Sequence, residues 1–256
     1  MCELFCFSGH DKRNLNTELN IFYSHSKTNP NGWGIYYQLD EGTFFKKGPQ
    51  KANLSEELKD ILKRPMNTQY ALAHIRHATI GANAYLNSHP FKARDNMGKE
   101  WIFMHNGSIF EGHLLDVYKD KQKGQTDSER IFLYIVDRMN QASSQNNGIT
   151  EAEQFKILED IVEKLSPENK LNLILTNGEY TAIHTNMEHT LYEKKVTEGT
   201  LFATVPLDDV GWVNLDLNTL VVYKKGKRFY TGKRHEHIYI EDKARLQALL
   251  DKLEQN

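Results

Sequence analysis

The residue with the most distinctive chemistry is Cys2, which directly follows Met1. An aminopeptidase removes an initiator methionine when the next residue is small, and cysteine is small enough. Cys2 would then carry a thiol that titrates near ~8.5 and a free α-amine that titrates near ~8. The amine is able to take the thiol proton, directly or through one water, which predicts a nucleophile and its base on one residue. A cysteine at position two is also common in proteins where it has no chemical role.

Asn106 and Gly107 are candidates for stabilising the anion that forms when a thiolate attacks an amide. They follow an apolar stretch that predicts a strand over 100–104. The side-chain amide of Asn106 and the backbone N–H of Gly107 are donor types found in oxyanion holes. Asn-Gly is equally typical of a tight hairpin turn, so the dipeptide alone leaves both interpretations open.

Arg76 and Asp127 are candidates for binding the two charges of an amino acid. Arg76 follows a predicted strand over 69–75, and a guanidinium can bind a carboxylate through two parallel hydrogen bonds. Asp127 lies in the capping-box pattern Thr126-Asp127-Ser128-Glu129, which predicts the start of a helix. The simpler interpretations are an exposed or ion-paired arginine, and an acidic residue that favours the helix dipole.

Four histidines lie within about thirty residues, so a metal site must be weighed: His74, His77, His89 and His105. Positions 74 and 77 of a strand would face opposite sides, and no Cys-x-x-Cys or His-Glu-x-x-His pattern occurs. The sequence therefore predicts no metal ion and no cofactor. A basic stretch over 224–228 is flanked by apolar residues, which favours a hairpin with a solvated turn over a nucleic-acid surface.

The composition of the 256-residue chain is that of a globular protein of one large or two small domains. With 32 basic and 34 acidic residues, it has no strong field for nucleic acid or membranes. Neither a long apolar run nor a signal-peptide pattern occurs, which predicts a cytoplasmic protein. Cys2 and Cys6 would lie roughly 13 Å apart on one strand. A disulfide requires less than ~7 Å, so both are predicted to be free thiols.

The apolar spacing predicts a mixture of helices and strands. Helices are predicted over 15–23, 55–64, 126–140, 151–165 and 242–254. Strands are predicted over 3–8, 35–39, 43–47, 69–75, 100–104, 171–176, 180–185, 190–194, 200–205, 219–224 and 228–231. A Gln/Asn/Ser-rich stretch over 141–150 predicts an exposed loop inside the domain. This order of elements favours an α+β domain in which helices cover stacked sheets.

Six motifs, taken in order, resemble the glutaminase domain of class-II glutamine amidotransferases, a branch of the N-terminal nucleophile hydrolases. They are Met1-Cys2, Asn31-Gly32-Trp33-Gly34, Ala73-His74-Ile75-Arg76, Asn87-Ser88-His89-Pro90-Phe91, His105-Asn106-Gly107 and Thr126-Asp127-Ser128-Glu129. The segment 202–207 resembles the C-terminal portion of the small stand-alone members. Residues 1–256 are therefore predicted to be a single glutamine amidotransferase type-2 domain.

The resemblance implies a four-layer αββα sandwich of two stacked, mainly antiparallel sheets. It implies that Cys2 is the nucleophile and that Asn106 and Gly107 form the oxyanion hole. The thiolate would attack the side-chain amide of glutamine, release ammonia and leave a γ-glutamyl thioester that water hydrolyses.

The resemblance also implies a substrate pocket in which Arg76 holds the α-carboxylate of glutamine and Asp127 holds its α-amine. Thr79 and His89 would line the same pocket. Many members have Trp directly after the pocket arginine and His four residues after it. Here those positions are His77 and Ile80, so the choice of substrate is open at this loop.

Three functions remain open from the sequence. The first is a glutamine amidotransferase or glutaminase that passes ammonia to a separate synthase as its partner. The second is a hydrolase of another γ-glutamyl amide with the same nucleophile, and the third is a non-catalytic domain that binds an amino acid or a partner. The sequence identifies neither the ammonia acceptor nor the oligomeric state.

Overall fold

A computed structural model describes residues 2–111, 113–146, 148–242, 244, 245, 247, 248 and 251. The α-helices are α1 (Asn16–Ser24), α2 (Glu56–Leu62), α3 (Asp127–Asn146) and α4 (Glu151–Leu165). The first strands are β1 (Glu3–Asn14), β2 (Trp33–Gln38), β3 (Thr43–Gly48), β4 (Asn67–Ile75), β5 (Phe91–Arg94), β6 (Glu100–Ser108) and β7 (Lys170–Thr176). The remaining strands are β8 (Thr181–His184), β9 (Tyr192–Val196), β10 (Gly199–Ala203), β11 (Trp212–Asn214), β12 (Val221–Lys224) and β13 (Lys227–Thr231).

The strands form two antiparallel sheets. The first sheet has the order β11-β9-β10-β1-β4-β2-β3, and the second has the order β13-β12-β8-β7-β6-β5. The pairs β1–β4 and β1–β10 are antiparallel, as are β6–β7 and β5–β6. The strand that follows Cys2 is therefore held on both edges, near the middle of the first sheet.

The side chains of β1 alternate between the two faces of the first sheet, and this alternation explains the layers of the fold. Phe5 and Phe7 point outward and belong to the apolar cluster that contains residues of α1 and α2. Leu4 and Cys6 point inward and pack with residues of the second sheet, such as Ile174. A further cluster lies between the outer face of the second sheet and helices α3 and α4. The predicted four-layer αββα sandwich is therefore confirmed.

The structure confirms several local predictions about helix starts, hairpin turns and Cys6. Ser55 caps α2 by accepting a hydrogen bond from the Leu58 N–H at 3.2 Å. Thr150 and Glu153 form the complete capping box that begins α4. The hairpin turns at 177–178 and at Gly226 connect β7 to β8 and β12 to β13. Cys6 is a free, fully buried thiol, as predicted.

Other boundaries were wrong because polar residues extend the elements. β1 was predicted to end at residue 8, but it continues to Asn14 after an irregularity in its pairing with β4. α3 continues to Asn146, into the predicted loop over 141–150, and its polar end is tied down where Ser143 Oγ donates to Asn96 Oδ1 at 2.7 Å. β6 continues beyond residue 104 to Ser108. The short strands β5 and β11 were not predicted.

The capping box predicted at Thr126 is only half formed. Thr126 Oγ1 accepts from the Glu129 N–H at 3.2 Å. The Glu129 carboxylate does not return the bond to Thr126, because it accepts from the N–H groups of Lys123 and Gly124 at 2.8 and 2.7 Å. Glu129 thus fixes the turn that leads into α3.

The helix predicted over 242–254 falls largely outside the described residues, including Leu246, Leu249, Leu250 and Leu253. Within the part of the chain that the structure describes, no helix has both the length and the apolar character needed to cross a membrane.

Truncation of Ile174 tests the packing between the sheets. Its side chain is fully buried between them, so Ile174→Ala should lower the free energy of unfolding by about 2–5 kcal/mol. Ile240→Ala is the matched control, since Ile240 is 82% exposed, and should change it by less than about 0.5 kcal/mol. Urea titration followed by circular dichroism measures both, and equal effects would contradict the assigned layers.

Candidate active site

The pairing of β1 with β4 places Cys2 beside the turn that follows β4. Glu3 lies opposite Ile75, so the preceding Cys2 meets the residues that come directly after Ile75. Cys2 Sγ lies 3.3 Å from both the carbonyl oxygen and the amide nitrogen of His77, donating to the first and accepting from the second. The thiol is thus held by backbone groups at the mouth of a cavity.

The environment of Cys2 favours the protonated thiol at rest. Burial raises the pKa of the Cys2 thiol, because the anion loses its hydration. The hydrogen bond from the His77 backbone and the positive charges of Arg76 and Lys170 oppose this rise. A nucleophile in this state needs a nearby base to take its proton during attack.

The motif Asn31-Gly32-Trp33-Gly34 holds the turn after β4. The Arg76 N–H donates to the Gly32 carbonyl at 2.8 Å, and the Ala78 N–H donates to Asn31 Oδ1 at 2.9 Å. Glycine is required at position 34, because a Cβ there would lie 1.9 Å from the His89 carbonyl oxygen. The motif therefore brings two site-forming segments together and supplies no reactive group itself.

Arg76 is buried and forms no ion pair with any described carboxylate. Its two Nη atoms donate to the main-chain carbonyls of Ile80, Gly81 and Ala82 at 2.7, 2.9 and 3.1 Å. Burial lowers the pKa of Arg76, against the pull of Cys2 and Asp127. The interpretation as an exposed or ion-paired arginine is therefore wrong, because the buried guanidinium contacts main-chain carbonyls and no described carboxylate lies within ion-pair distance of it.

Asp127 is the buried first residue of α3. Its Oδ2 accepts from the Ile109 N–H at 2.8 Å, and its Oδ1 accepts from the Ser128 N–H at 2.8 Å. Ser128 Oγ lies 3.0 Å from His105 Nδ1, which links this helix start to β6. Two backbone donors hold the carboxylate in place, and it forms no ion pair with a described cation.

Asn106 and Gly107 lie within the last residues of β6, not in a hairpin turn. Gly107 is opposite Leu171, whose N–H donates to Asn186 Oδ1 and whose carbonyl accepts from His184 Nδ1. Both polar groups of Leu171 thus point away from β6, which makes this a non-hydrogen-bonded pair. The Gly107 N–H consequently points to the other edge of β6, beyond the end of β5, which pairs only as far as Phe103.

Gly107 also permits the close approach of β7. A Cβ at this position would lie 2.0 Å from the Lys170 carbonyl oxygen. Lys170 is itself buried and lines the cavity. Burial lowers the pKa of Lys170 to about 8, opposed by the nearby charges of Glu241 and Cys2.

His89 and His74 form a neutral layer behind the cavity. Their rings stack at 4.2 Å between centroids. Burial is the main reason that the pKa of His89 is well below its usual range and that of His74 is lowered to about 3. The ring nitrogens of His89 have no hydrogen-bond partner among the described residues, so His89 presents an uncharged ring to the cavity.

One cavity brings together all seven residues selected from the sequence: Cys2, Arg76, Thr79, His89, Asn106, Gly107 and Asp127. Their roles stay predictions. Sequence reasoning missed Lys170, Tyr239 and Glu241, which line the same cavity. A lysine beginning the apolar strand 170–176 was the available signal for the first. Nothing marked the other two, because an irregular C-terminal segment brings them to the site.

The comparisons with known proteins identify the family of the chain. A family model described as glutamine amidotransferases class-II matches residues 1–198. The chain belongs to the class-II glutamine amidotransferases.

Two relatives show how this class-II glutamine amidotransferase compares with other chains. An uncharacterized protein of Methanocaldococcus jannaschii is 28% identical over 91% of this chain and 72% of its own length. YafJ of Escherichia coli, provisionally named a glutamine amidotransferase, is 30% identical over 58% of each chain.

Solved structures share the fold at low identity. A glutamine phosphoribosylpyrophosphate amidotransferase of Bacillus subtilis has a TM-score of 0.68 and 16% identity, with 93% of this chain covered. This class-II chain spans half the length of that enzyme. A glutamine amidotransferase from Pseudomonas aeruginosa, assigned by prediction, has a TM-score of 0.59 and 17% identity over 90% of this chain and 95% of its own.

Alkylation tests the state of Cys2 in this amidotransferase. Because the pKa of the thiol is raised and only the thiolate reacts, the rate with iodoacetamide should still be rising above pH 9. Cys6, fully buried, should react only after unfolding and is the internal control. Peptide mass spectrometry measures both sites, and a Cys2 rate that is already constant by pH 7 would contradict the assigned environment.

Proposed function

We propose that the protein hydrolyses the side-chain amide of glutamine through a γ-glutamyl thioester on Cys2 and releases ammonia. The observation that carries the proposal is a single cavity in which a nucleophilic thiol meets two unpaired, buried charges of opposite sign, Arg76 and Asp127. A free α-amino acid carries the complementary pair of charges. The roles follow the resemblance, residue by residue.

The buried charges argue for an ionic ligand. A buried charge without a partner is costly, and neither Arg76 nor Asp127 forms an ion pair among the described residues. A carboxylate is a stronger acceptor than the main-chain carbonyls over 80–82 that Arg76 now contacts. In the proposal it replaces part of that contact, while Asp127 accepts from the α-ammonium group.

The reaction proceeds in two steps. Removal of Met1 frees the α-amine of Cys2, which takes the thiol proton as sulfur bonds to the amide carbon. The proton passes to the nitrogen, the C–N bond breaks and ammonia leaves. Water then gives its proton to the amine and its hydroxyl to the thioester carbon, and the S–C bond breaks to release glutamate and restore the thiol.

Asn106 and Gly107 stabilise the tetrahedral intermediate of each step. The Asn106 side chain forms no hydrogen bond with a described residue, although it is buried and lines the cavity. The Gly107 N–H points to the open edge of β6, as the register requires. In the proposal these two unused donors form the oxyanion site, and removal of one donor typically slows such reactions by about 10²–10³.

The proposal also covers the extent of the domain and the acceptor of the ammonia. Residues 1–256 are treated as one glutamine amidotransferase type-2 domain, and the ammonia acceptor is a separate synthase. The chain spans 72% and 58% of the two curated relatives described above, so any activity of their remaining parts is not assigned to it.

Removal of the nucleophile should abolish the reaction. Protein lacking Met1 should release ammonia and glutamate from glutamine, and Cys2→Ala should reduce kcat by at least ~10³ because no thioester can form. A coupled glutamate assay measures the rate, and mass spectrometry confirms the absence of Met1.

The matched control is Cys6→Ala, which removes the chain's other thiol. Cys6 lies in the core between the sheets, so its loss should affect stability and leave kcat within about twofold. Equal ammonia release by wild type and Cys2→Ala would refute the proposed nucleophile.

Replacement of Asp127 should weaken the binding of glutamine. Asp127→Asn removes the negative charge and should lower kcat/KM for glutamine by about 10–100-fold, since a charged hydrogen bond is worth about 1.5–3 kcal/mol. Asp120→Asn is the control, because Asp120 is exposed and lines no described cavity. Steady-state kinetics compares them, and indistinguishable values for the two variants would remove Asp127 from the proposed site.

A further inference from the structure

Cys2 lies at the junction of two cavities. The first is the cavity described above, with Arg76 and Asp127. The second cavity also borders Cys2, and it is lined by Glu3, Thr28, Asn29, His189, Thr190 and Thr204, with the exposed Val205. Cys2, His77 and Asn106 line both, so the reacting carbon must sit where the two cavities meet.

This arrangement assigns a direction to a bound amide, and the assignment rests on the proposed function. The amino-acid head of the substrate belongs in the first cavity, because Arg76 and Asp127 line that cavity and not the second. With the carbonyl oxygen at Asn106, the amide nitrogen and any group attached to it point toward the second cavity. Ammonia fills almost none of that space, which leaves room for a substituted amine.

The second cavity presents acceptors. Glu3 contributes a carboxylate held by His25 Nδ1 at 2.8 Å and Asn29 Nδ2 at 2.9 Å. Carboxylate oxygens can each accept more than one hydrogen bond. No lysine or arginine is among the described residues that line this cavity.

The donors of this cavity are largely used within the protein. Thr28 donates its hydroxyl proton to the His25 carbonyl at 3.1 Å, and Thr190 donates to the Met187 carbonyl at 2.6 Å. Asn29 Nδ2 donates to Glu3 and, at 3.4 Å, to Thr28. The remaining side-chain donors are the Thr204 hydroxyl and the Asn106 amide, which the proposed function assigns to the oxyanion. An anionic group entering the cavity would therefore meet a carboxylate and few free donors, whereas an amine would meet acceptors.

We infer that the second cavity binds the leaving amine of a γ-glutamyl amide, and that it favours amine substituents that are neutral or cationic N–H donors over those that carry a carboxylate. The chemistry is the reaction with glutamine in which an amine R–NH₂ takes the place of ammonia. The C–N bond of the amide breaks as the leaving nitrogen takes the proton that came from the thiol. Water then hydrolyses the γ-glutamyl thioester, which releases glutamate and restores the thiol.

A matched substrate series tests this inference at pH 8, where an ordinary histidine is neutral. The amides are glutamine, which has no substituent on the amide nitrogen, γ-glutamylethylamide, the γ-glutamyl monoamide of ethylenediamine and γ-glutamylglycine. The substituents of the last three are similar in size and differ in charge. We expect the ethylenediamine and ethyl amides to exceed γ-glutamylglycine in kcat/KM by about tenfold or more, the scale of one unfavourable charge at close range.

Each outcome separates the two proposals. Equal or faster cleavage of γ-glutamylglycine would overturn the charge preference. Cleavage of glutamine without cleavage of any substituted amide would overturn the amine subsite and leave the proposed function intact. Failure to cleave all four amides, with Met1 absent, would overturn both.

A charge placed at Val205 supplies the second test. Val205 is 43% exposed and lines the cavity, so Val205→Arg should lower the preference for the ethylenediamine amide over γ-glutamylglycine by about tenfold. Val210→Arg is the matched control, because Val210 is 71% exposed and lines none of the described cavities. The ratio of the two kcat/KM values is the readout, and the same ratio in both variants would overturn the inference.

Discussion

The register between β1 and β4 is the constraint on which the site depends. Because Glu3 pairs with Ile75, Cys2 lies beside the residues that leave β4, and its sulfur contacts the His77 backbone. A shift of one residue would turn Cys2 away from the space between the sheets and would also move Phe5 and Phe7 out of their cluster. Core packing and the position of the thiol are therefore fixed by the same alternation.

The second sheet brings the complementary groups to the thiol, and close backbone approach makes this possible. At Gly107 the neighbouring Lys170 carbonyl leaves no space for a side chain. The pairing partner Leu171 directs its polar groups away from β6, which leaves the Gly107 N–H directed to the open edge. Neutral rings and charged side chains of both signs surround these donors, so the cavity has a strong local field.

The sequence predicted the layers, the family and seven of the residues that line the first cavity, because these depend on periodicity and short motifs. It mispredicted the ends of β1, α3 and β6, where polar residues continue an element through contacts that are distant in sequence, such as Ser143 with Asn96. It gave no indication of Tyr239 or Glu241. The second cavity was also invisible, because its lining comes from segments as far apart as Thr28 and Thr204, which only the fold brings together.

The first residue of β1 is Glu3, and the described ladders with β4 and β10 begin at Glu3 and Phe5. Cys2 thus lies just outside the hydrogen-bonded sheet. Cleavage of the preceding peptide bond breaks no pairing of the described ladders, so the proposed removal of Met1 leaves the register of β1 unchanged. In the proposed function, the folded chain stays inactive until that cleavage frees the α-amine of Cys2.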